Sequence, residues 1–385
     1  MDWNETGMNL LRRDFIIREP LLVGILVLIT VLFSALTHSY SQAYDHRRTA
    51  LGVEWFIRGN RELKNGRPAA AVQDFRTALF YDPTNSGFEM HLADALLQAG
   101  QAEQALNYYL GLWQSNPGNG PVNFQLARLY AKNGDNVAAE RYFNGAIFGD
   151  WPGNPEANRR AASLELINFY LDRGDTGHAE SQLMILSDNL PEDPQLRTRV
   201  ADLYGHVGAD QRALAQYRQA LQLNSTYLPA LVGAGEASIR VGDYHAALTY
   251  VSRAVHLDPS NASANQLLAV IQSVLALNPY ERGIPEAEKV QRTLRVFDIA
   301  GKRLQSCGES TPASAASSIA PFLERWKELM ATANGPFLTQ HPEEVETLID
   351  YAASAEKLAQ DHCGEPTPDD SAVLAIAHER EMEDQ

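Results

Sequence analysis

The chain has 385 residues, with 48 acidic against 32 basic side chains and a formal net charge of −16. That charge repels phosphate backbones and no basic stripe offsets it, which excludes nucleic acid as a partner. There are two cysteines, Cys307 and Cys363, and neither lies in a C-x-x-C pair, so a cysteine zinc site, a dithiol redox motif and haem attachment are excluded as well.

The first predicted element is apolar. Residues 20–40 carry no charged side chain, and as a helix they would reach about 30 Å, one bilayer core. The alternative is a cleaved signal peptide, but Ser39-Tyr40-Ser41 is a poor small-x-small cleavage site. Arg12, Arg13 and Arg18 precede the stretch, and Arg47 and Arg48 follow it. This excess predicts a cytoplasmic segment 1–19, a transmembrane helix over 20–40 and a linker over 41–51.

From residue 52 a period takes over. Ala71, Ala105, Ala139, Ala179, Ala213 and Ala247 are spaced 34, 34, 40, 34 and 34 residues apart. Around the first of them stand Trp55, Gly59, Phe75, Ala78 and Pro83. Leu92, Ala93, Tyr109 and Pro117 follow in the second interval, and Leu126, Ala127, Phe143 and Ala146 in the third. Tyr170 and Leu183, then Tyr204 and Tyr217, then Gly235 and Ala254 continue the register. Small residues let paired helices approach closely, and large ones fill the space between pairs. Gly66, Gly100, Gly134, Gly174, Gly208 and Gly242 fall where a first helix would end and a second begin.

The pattern W-x3-G, A-x3-F-x2-A and a closing Pro, complete in the first repeat and kept in part in five more over 52–261, resembles the tetratricopeptide repeat family. The resemblance implies an all-α fold: a right-handed α-solenoid of stacked helix pairs, whose inner surface binds protein segments. Such repeats bury their apolar faces only by stacking on one another. The family often binds peptides through fixed positions of each first helix. One such row reads Phe56, Met90, Phe124, Leu164, Thr198 and Val232, and the next Asn60, Asp94, Arg128, Asn168, Asp202 and Glu236. A partner-binding groove is therefore expected at Phe56, Asn60, Met90, Asp94, Phe124, Arg128, Leu164 and Asn168. The family's clamp for a free carboxylate needs a Lys where Phe56 stands, which puts that mode of recognition in doubt. An amphipathic helix or extended segment suits the groove better. The six-residue excess at Trp151 reads as a longer turn or as a protruding contact loop.

Residues 262–363 are expected to cap the stack as a C-terminal helical extension. Helices are predicted over 264–277, 285–306, 318–333 and 342–361, with Val290, Leu294, Phe297, Leu304, Trp326, Leu329, Leu348, Tyr351 and Leu358 facing inward. Segments 308–317 and 364–370 read as loops, and 364–385 as an acidic tail whose last part, 371–385, is a short helix or frayed. Cys307 and Cys363 form a possible disulfide, or are two separate buried thiols.

No catalytic constellation emerges. His378-Glu379 opens an H-E-x-x-H pattern, but Met382 occupies the last position. There is no Gly-rich phosphate loop or nucleophile elbow. No enzyme activity, metal or cofactor is expected. The sequence predicts a membrane-anchored scaffold with periplasmic repeats, a subunit or assembly factor for other membrane or envelope proteins. The alternatives are an accessory enzyme with a site in 280–385, or a glycan- or peptidoglycan-binding protein using Trp55, Trp113 and Trp151.

Overall fold

A computed structural model describes the backbone at residues 5–310 and 313–383, and side chains at 22–308 and 318–379. Among the described residues the protein is α-helical, apart from an isolated bridge between Asn119 and Asp150. Two compact units divide the chain, Met1–Leu166 and Ile167–Gln385.

The first unit begins with α1 (Glu5–Lys64), a single helix. The part of it whose side chains are described, Leu22–Lys64, is about 64 Å long at 1.5 Å per residue. Side chains 22–46 are all exposed, and packing begins only at Arg48. Residues 41–51, expected to be a linker, are helix, because no Gly or Pro stands among them to break it. The end of α1 pairs with α2 (Pro68–Tyr81), followed by α3 (Ser86–Gln98) with α4 (Ala102–Ser115), and α5 (Gly120–Lys132) with α6 (Asn136–Phe148). Asn85, Asn119 and Asp135 each accept a backbone N–H of the following helix and so fix its start. Ala71, Ala105 and Ala139 have no exposed surface. Gly59 is required at its position: a Cβ there would lie 2.7 Å from the Phe75 ring, which fills the first interhelical space.

α7 (Pro155–Leu171) carries the chain into the second unit. There α8 (Thr176–Ser187), α9 (Pro194–His206), α10 (Asp210–Leu223), α11 (Leu228–Arg240) and α12 (Tyr244–Leu257) continue the pairs around buried Ala179, Ala213 and Ala247. Each within-repeat turn ends on a glycine at positive φ, such as Gly242 at +78°, where any other residue would be strained.

The C-terminal extension comprises α13 (Ala262–Leu277), α14 (Glu286–Ser310), α15 (Ala313–Thr332), α16 (Gly335–Gln340), α17 (Glu343–His362) and α18 (Pro368–Glu383). Val290, Phe297, Leu304, Leu329, Leu348 and Tyr351 share one core, with Leu294, Trp326 and Leu358 half-buried at its margin. The expected loop 308–317 is shorter than predicted, since α14 runs through Ser310 and α15 starts at Ala313; residues 311–312 lie outside the described ones. The expected acidic tail is helix α18. Ala372, Val373 and Ile376 form a buried face on it. Its first turn is closed by reciprocal bonds: Thr367 N–H donates to Asp370 Oδ2 at 2.9 Å and Asp370 N–H to Thr367 Oγ1 at 3.3 Å. Cys307 on α14 and Cys363 at the end of α17 are bonded, with Cα atoms 5.5 Å apart.

Candidate partner-binding surface

The apolar row of the expected groove is largely packing. Phe56 is half-buried, stacked on Phe88 at 4.8 Å, edge-on to His91 at 4.8 Å and tilted to Phe75 at 5.6 Å between ring centroids. It therefore joins the first repeat to the second. Phe124 meets Phe143 at 6.4 Å and Trp151 at 5.8 Å, both edge-on. Met90 is half-buried. Leu164 corrects the expectation: it is 7% exposed and belongs to the core rather than to a groove wall. Thr198, at the same register, is buried and donates to the Pro194 carbonyl at 2.7 Å.

The polar row has an internal logic. Tyr109 on α4 donates its hydroxyl to Asp94 Oδ1 on α3 at 2.5 Å. Tyr217 on α10 does the same to Asp202 Oδ1 on α9, also at 2.5 Å. Burial, together with the adjacent carboxylate, pushes both phenol pKa values far up, so both remain protonated donors. In each pair the Tyr follows the Asp by 15 residues. Fifteen residues after Asn60, Arg128 and Asn168 stand Phe75, Phe143 and Leu183. An Asp in this row is thus accompanied by a Tyr. The periodic sequence carried that signal, and only the contact reveals its meaning.

Asn60 donates its amide to the Phe56 carbonyl at 3.0 Å, within its own helix. Arg128 is an exposed member of the row, as is Asp202. Its guanidinium sits 4.1 Å above the Phe124 ring centroid. Its Nε donates to Glu165 Oε2 at 2.7 Å, and Nη2 to the other carboxylate oxygen, a planar bidentate pair. Glu165 escaped sequence reasoning because it lies 37 residues from Arg128, outside the repeat period. Asn168 is half-buried and belongs to the second unit, whereas Phe56, Asn60, Met90, Asp94, Phe124, Arg128 and Leu164 belong to the first.

Trp151 turns inward. Its indole N–H donates to the Ala146 carbonyl at 2.7 Å, and Gly120 leaves it room: a Cβ there would lie 2.4 Å from the indole nitrogen. Paired backbone bonds close the same corner, Gly120 N to Asp150 O at 2.9 Å and Asp150 N to Gly118 O at 2.7 Å. Trp151 is thus packed into the turn, while Pro152, Gly153 and Asn154 stay exposed.

The extension holds an ionic centre. Arg303 donates from Nη1 to Glu356 Oε2 at 2.6 Å, lies 3.5 Å from Asp370, and donates from Nη2 to the Gly364 carbonyl at 3.2 Å. Glu356 has no exposed surface. Burial pushes its carboxyl up to about 7, against the downward pull of Arg303. Among the described residues, no group of three or more His, Cys, Asp or Glu could hold a metal ion.

Against this geometry, the tetratricopeptide repeat family model matches residues 62–112 and 96–150. Similar curated proteins include cellulose synthase operon protein C of Escherichia coli. The K12 protein is 25% identical over 302 residues, covering 75% of this chain and 24% of the relative. The O157:H7 protein is 27% identical over 230 residues, 57% of this chain and 19% of the relative. The chain thus spans about a quarter or less of the length of those relatives. Among solved structures, the C-terminal part of a tetratricopeptide-repeat protein from Cytophaga hutchinsonii aligns with a TM-score of 0.46 at 16% identity, over 61% of this chain and 97% of that one.

Proposed function

We propose that this chain, whose residues 62–150 match the tetratricopeptide repeat model, is a membrane-anchored scaffold that binds other proteins, with its repeats outside the cytoplasmic membrane. Its partners would be envelope or membrane proteins, held as a permanent subunit or during assembly. The observation that carries this is α1: an exposed apolar stretch of mean hydropathy 2.1 continues without a break into the first repeat. The anchor concentrates the repeats at the membrane, so that weak docking sites act together. The relatives' name, which refers to a cellulose synthase operon, supports a search among polysaccharide-synthesis partners. The glycan-binding alternative loses Trp151, whose indole is packed and hydrogen-bonded.

A cysteine at exposed Ser86 tests the topology, in a variant lacking Cys307 and Cys363. An impermeant maleimide should label it in intact spheroplasts. Labelling only after lysis would put the repeats in the cytoplasm and overturn the reading. Co-purification from native membranes then separates the two versions: a partner that survives salt and detergent marks a subunit, and one lost on washing marks an assembly factor.

A further inference from the structure

The first unit has two edges, defined by its turns. One edge carries the turns between repeats, at 82–85, 116–119 and 149–154. The other carries the turns within repeats, at 65–67, 99–101 and 133–135. α1 leaves the unit from the first edge. Arg48 marks the point of departure, because its Nη2 donates to the Phe80 carbonyl at 3.2 Å and so holds the end of α2 against α1. The Asn119–Asp150 bridge places the end of α6 beside the start of α5, on the same edge.

Two phenylalanines stand out on this edge. Phe80 is 73% exposed and Phe148 is 79% exposed. They occupy one register, 68 residues or two periods apart, at the ends of α2 and α6. Neither is needed by the core. Tyr40 and Tyr44 on α1 are exposed as well, and Asp45 is the first charged residue after the span. One helical turn, about 6 Å, separates Tyr44 from Arg48, the level at which Phe80 is held. A headgroup layer is of similar depth, roughly 5–7 Å on each side of the hydrocarbon.

We infer that the inter-repeat edge of the first unit rests on the bilayer that α1 crosses, with the Phe80 and Phe148 side chains reaching from phosphate level into the headgroup layer. The inference rests on the membrane-spanning reading of α1. Tyr40 and Tyr44 form the interfacial belt below, and Arg47 and Arg48 lie at phosphate level. The contact does not depend on an anionic surface, which the net charge of −16 would oppose. Its occupant is lipid because the anchor and both exposed aromatic residues lie at one edge of the unit. The seating would fix how the first repeat is presented to partners along the membrane.

The test uses the full chain in phosphatidylcholine vesicles with or without brominated acyl chains. Single cysteines replace Phe80, Phe148, Val137 or Leu32, and each carries bimane; Cys307 and Cys363 are bonded to each other and leave the new thiol free. Val137 is the control. It is 82% exposed and lies at the opposite end of α6 from Phe148, about 16 Å away. Brominated lipid should quench the labels at 32, 80 and 148 and spare the label at 137. Quenching at 32 alone would overturn the seating while leaving the anchor intact. No quenching at 32 would overturn the membrane-spanning reading, and the seating with it. Quenching at 80 without 148 would also overturn it, since the edge would then not lie on the surface. Label shielding that follows protein density instead of bromine content would assign the edge to a second copy and reject the lipid.

Discussion

Asp94 and Asp202 illustrate how a residue that resembles a binding group is committed to the fold. Each accepts a 2.5 Å bond from a tyrosine hydroxyl on the partner helix of its own repeat. A hydrogen bond to a charged group contributes about 1.5–3 kcal/mol, less where the acceptor is half-exposed as here. Tyr109→Phe should therefore cost about 1–2 kcal/mol, read as a lower urea midpoint at an unchanged slope. In a double-mutant cycle with Asp94→Asn the two losses should not add; additivity would show that the pair is not coupled. Glu356 gives a pH prediction. Its folded-state value of about 7 lies above the ordinary 4.5, so the native protein keeps a proton that the unfolded chain has lost between those limits. The associated stability is full below about pH 4.5 and declines as pH rises through about 7, by a few kcal/mol at most. Hydrogen exchange in α14 and α17 should accelerate from pH 5 to 7.5 beyond the intrinsic rate, and Glu356→Gln should flatten that excess. An equal excess in the variant would remove Glu356 as the cause.

At the scale of the element, packing and caps decide what the residues permit. Phe75 has no exposed surface, and truncation to Ala should cost about 3–5 kcal/mol. Phe124 is half-buried against Phe143, Trp151 and Arg128, so Phe124→Ser should cost less than Phe75→Ala while weakening partner capture. If thermal melts show equal losses, this row is packing alone and the groove loses its apolar contact. The Cys307–Cys363 bond closes a loop spanning 56 positions, and on the chain-entropy argument it stabilises the extension by about 4 kcal/mol. Non-reducing peptide mapping should recover the linked pair, and two free thiols in freshly purified protein would contradict it. The repeats were legible because their constraint is periodic: Gly59 faces the Phe75 ring, and Ala71 returns at 34 as Ala105. The groove was less legible, since whether Phe56 faces solvent or Phe88 depends on the neighbouring repeat and not on its own position. Glu165 and the Arg303–Glu356 pair lay beyond any local spacing. Helix α18 was readable in principle, from Ala372, Val373 and Ile376 on one face, but its acidic composition masked that pattern.

For the whole molecule, α1 is the feature with the longest reach. One helix both carries the apolar stretch and forms the first member of the first repeat, so the proposed anchor has no hinge where the sequence suggested one. A continuous helix transmits orientation; a flexible linker would transmit only proximity. Replacing both Ser41 and Gln42 with Gly should weaken the helix by about 0.5 kcal/mol per site, without touching the repeat core, because both positions are exposed. The test belongs in the Phe80→Ser, Phe148→Ser background, so that contact of the edge with lipid cannot restrain the unit by itself. A fluorophore on the repeats of the vesicle-bound protein should then show slow anisotropy decay with the native segment, and a large nanosecond component once the glycines are introduced. The repeat melting midpoint should stay the same in both. If the native segment already permits the full nanosecond component, α1 tethers the repeats without orienting them, and partner docking must be explained by local concentration alone.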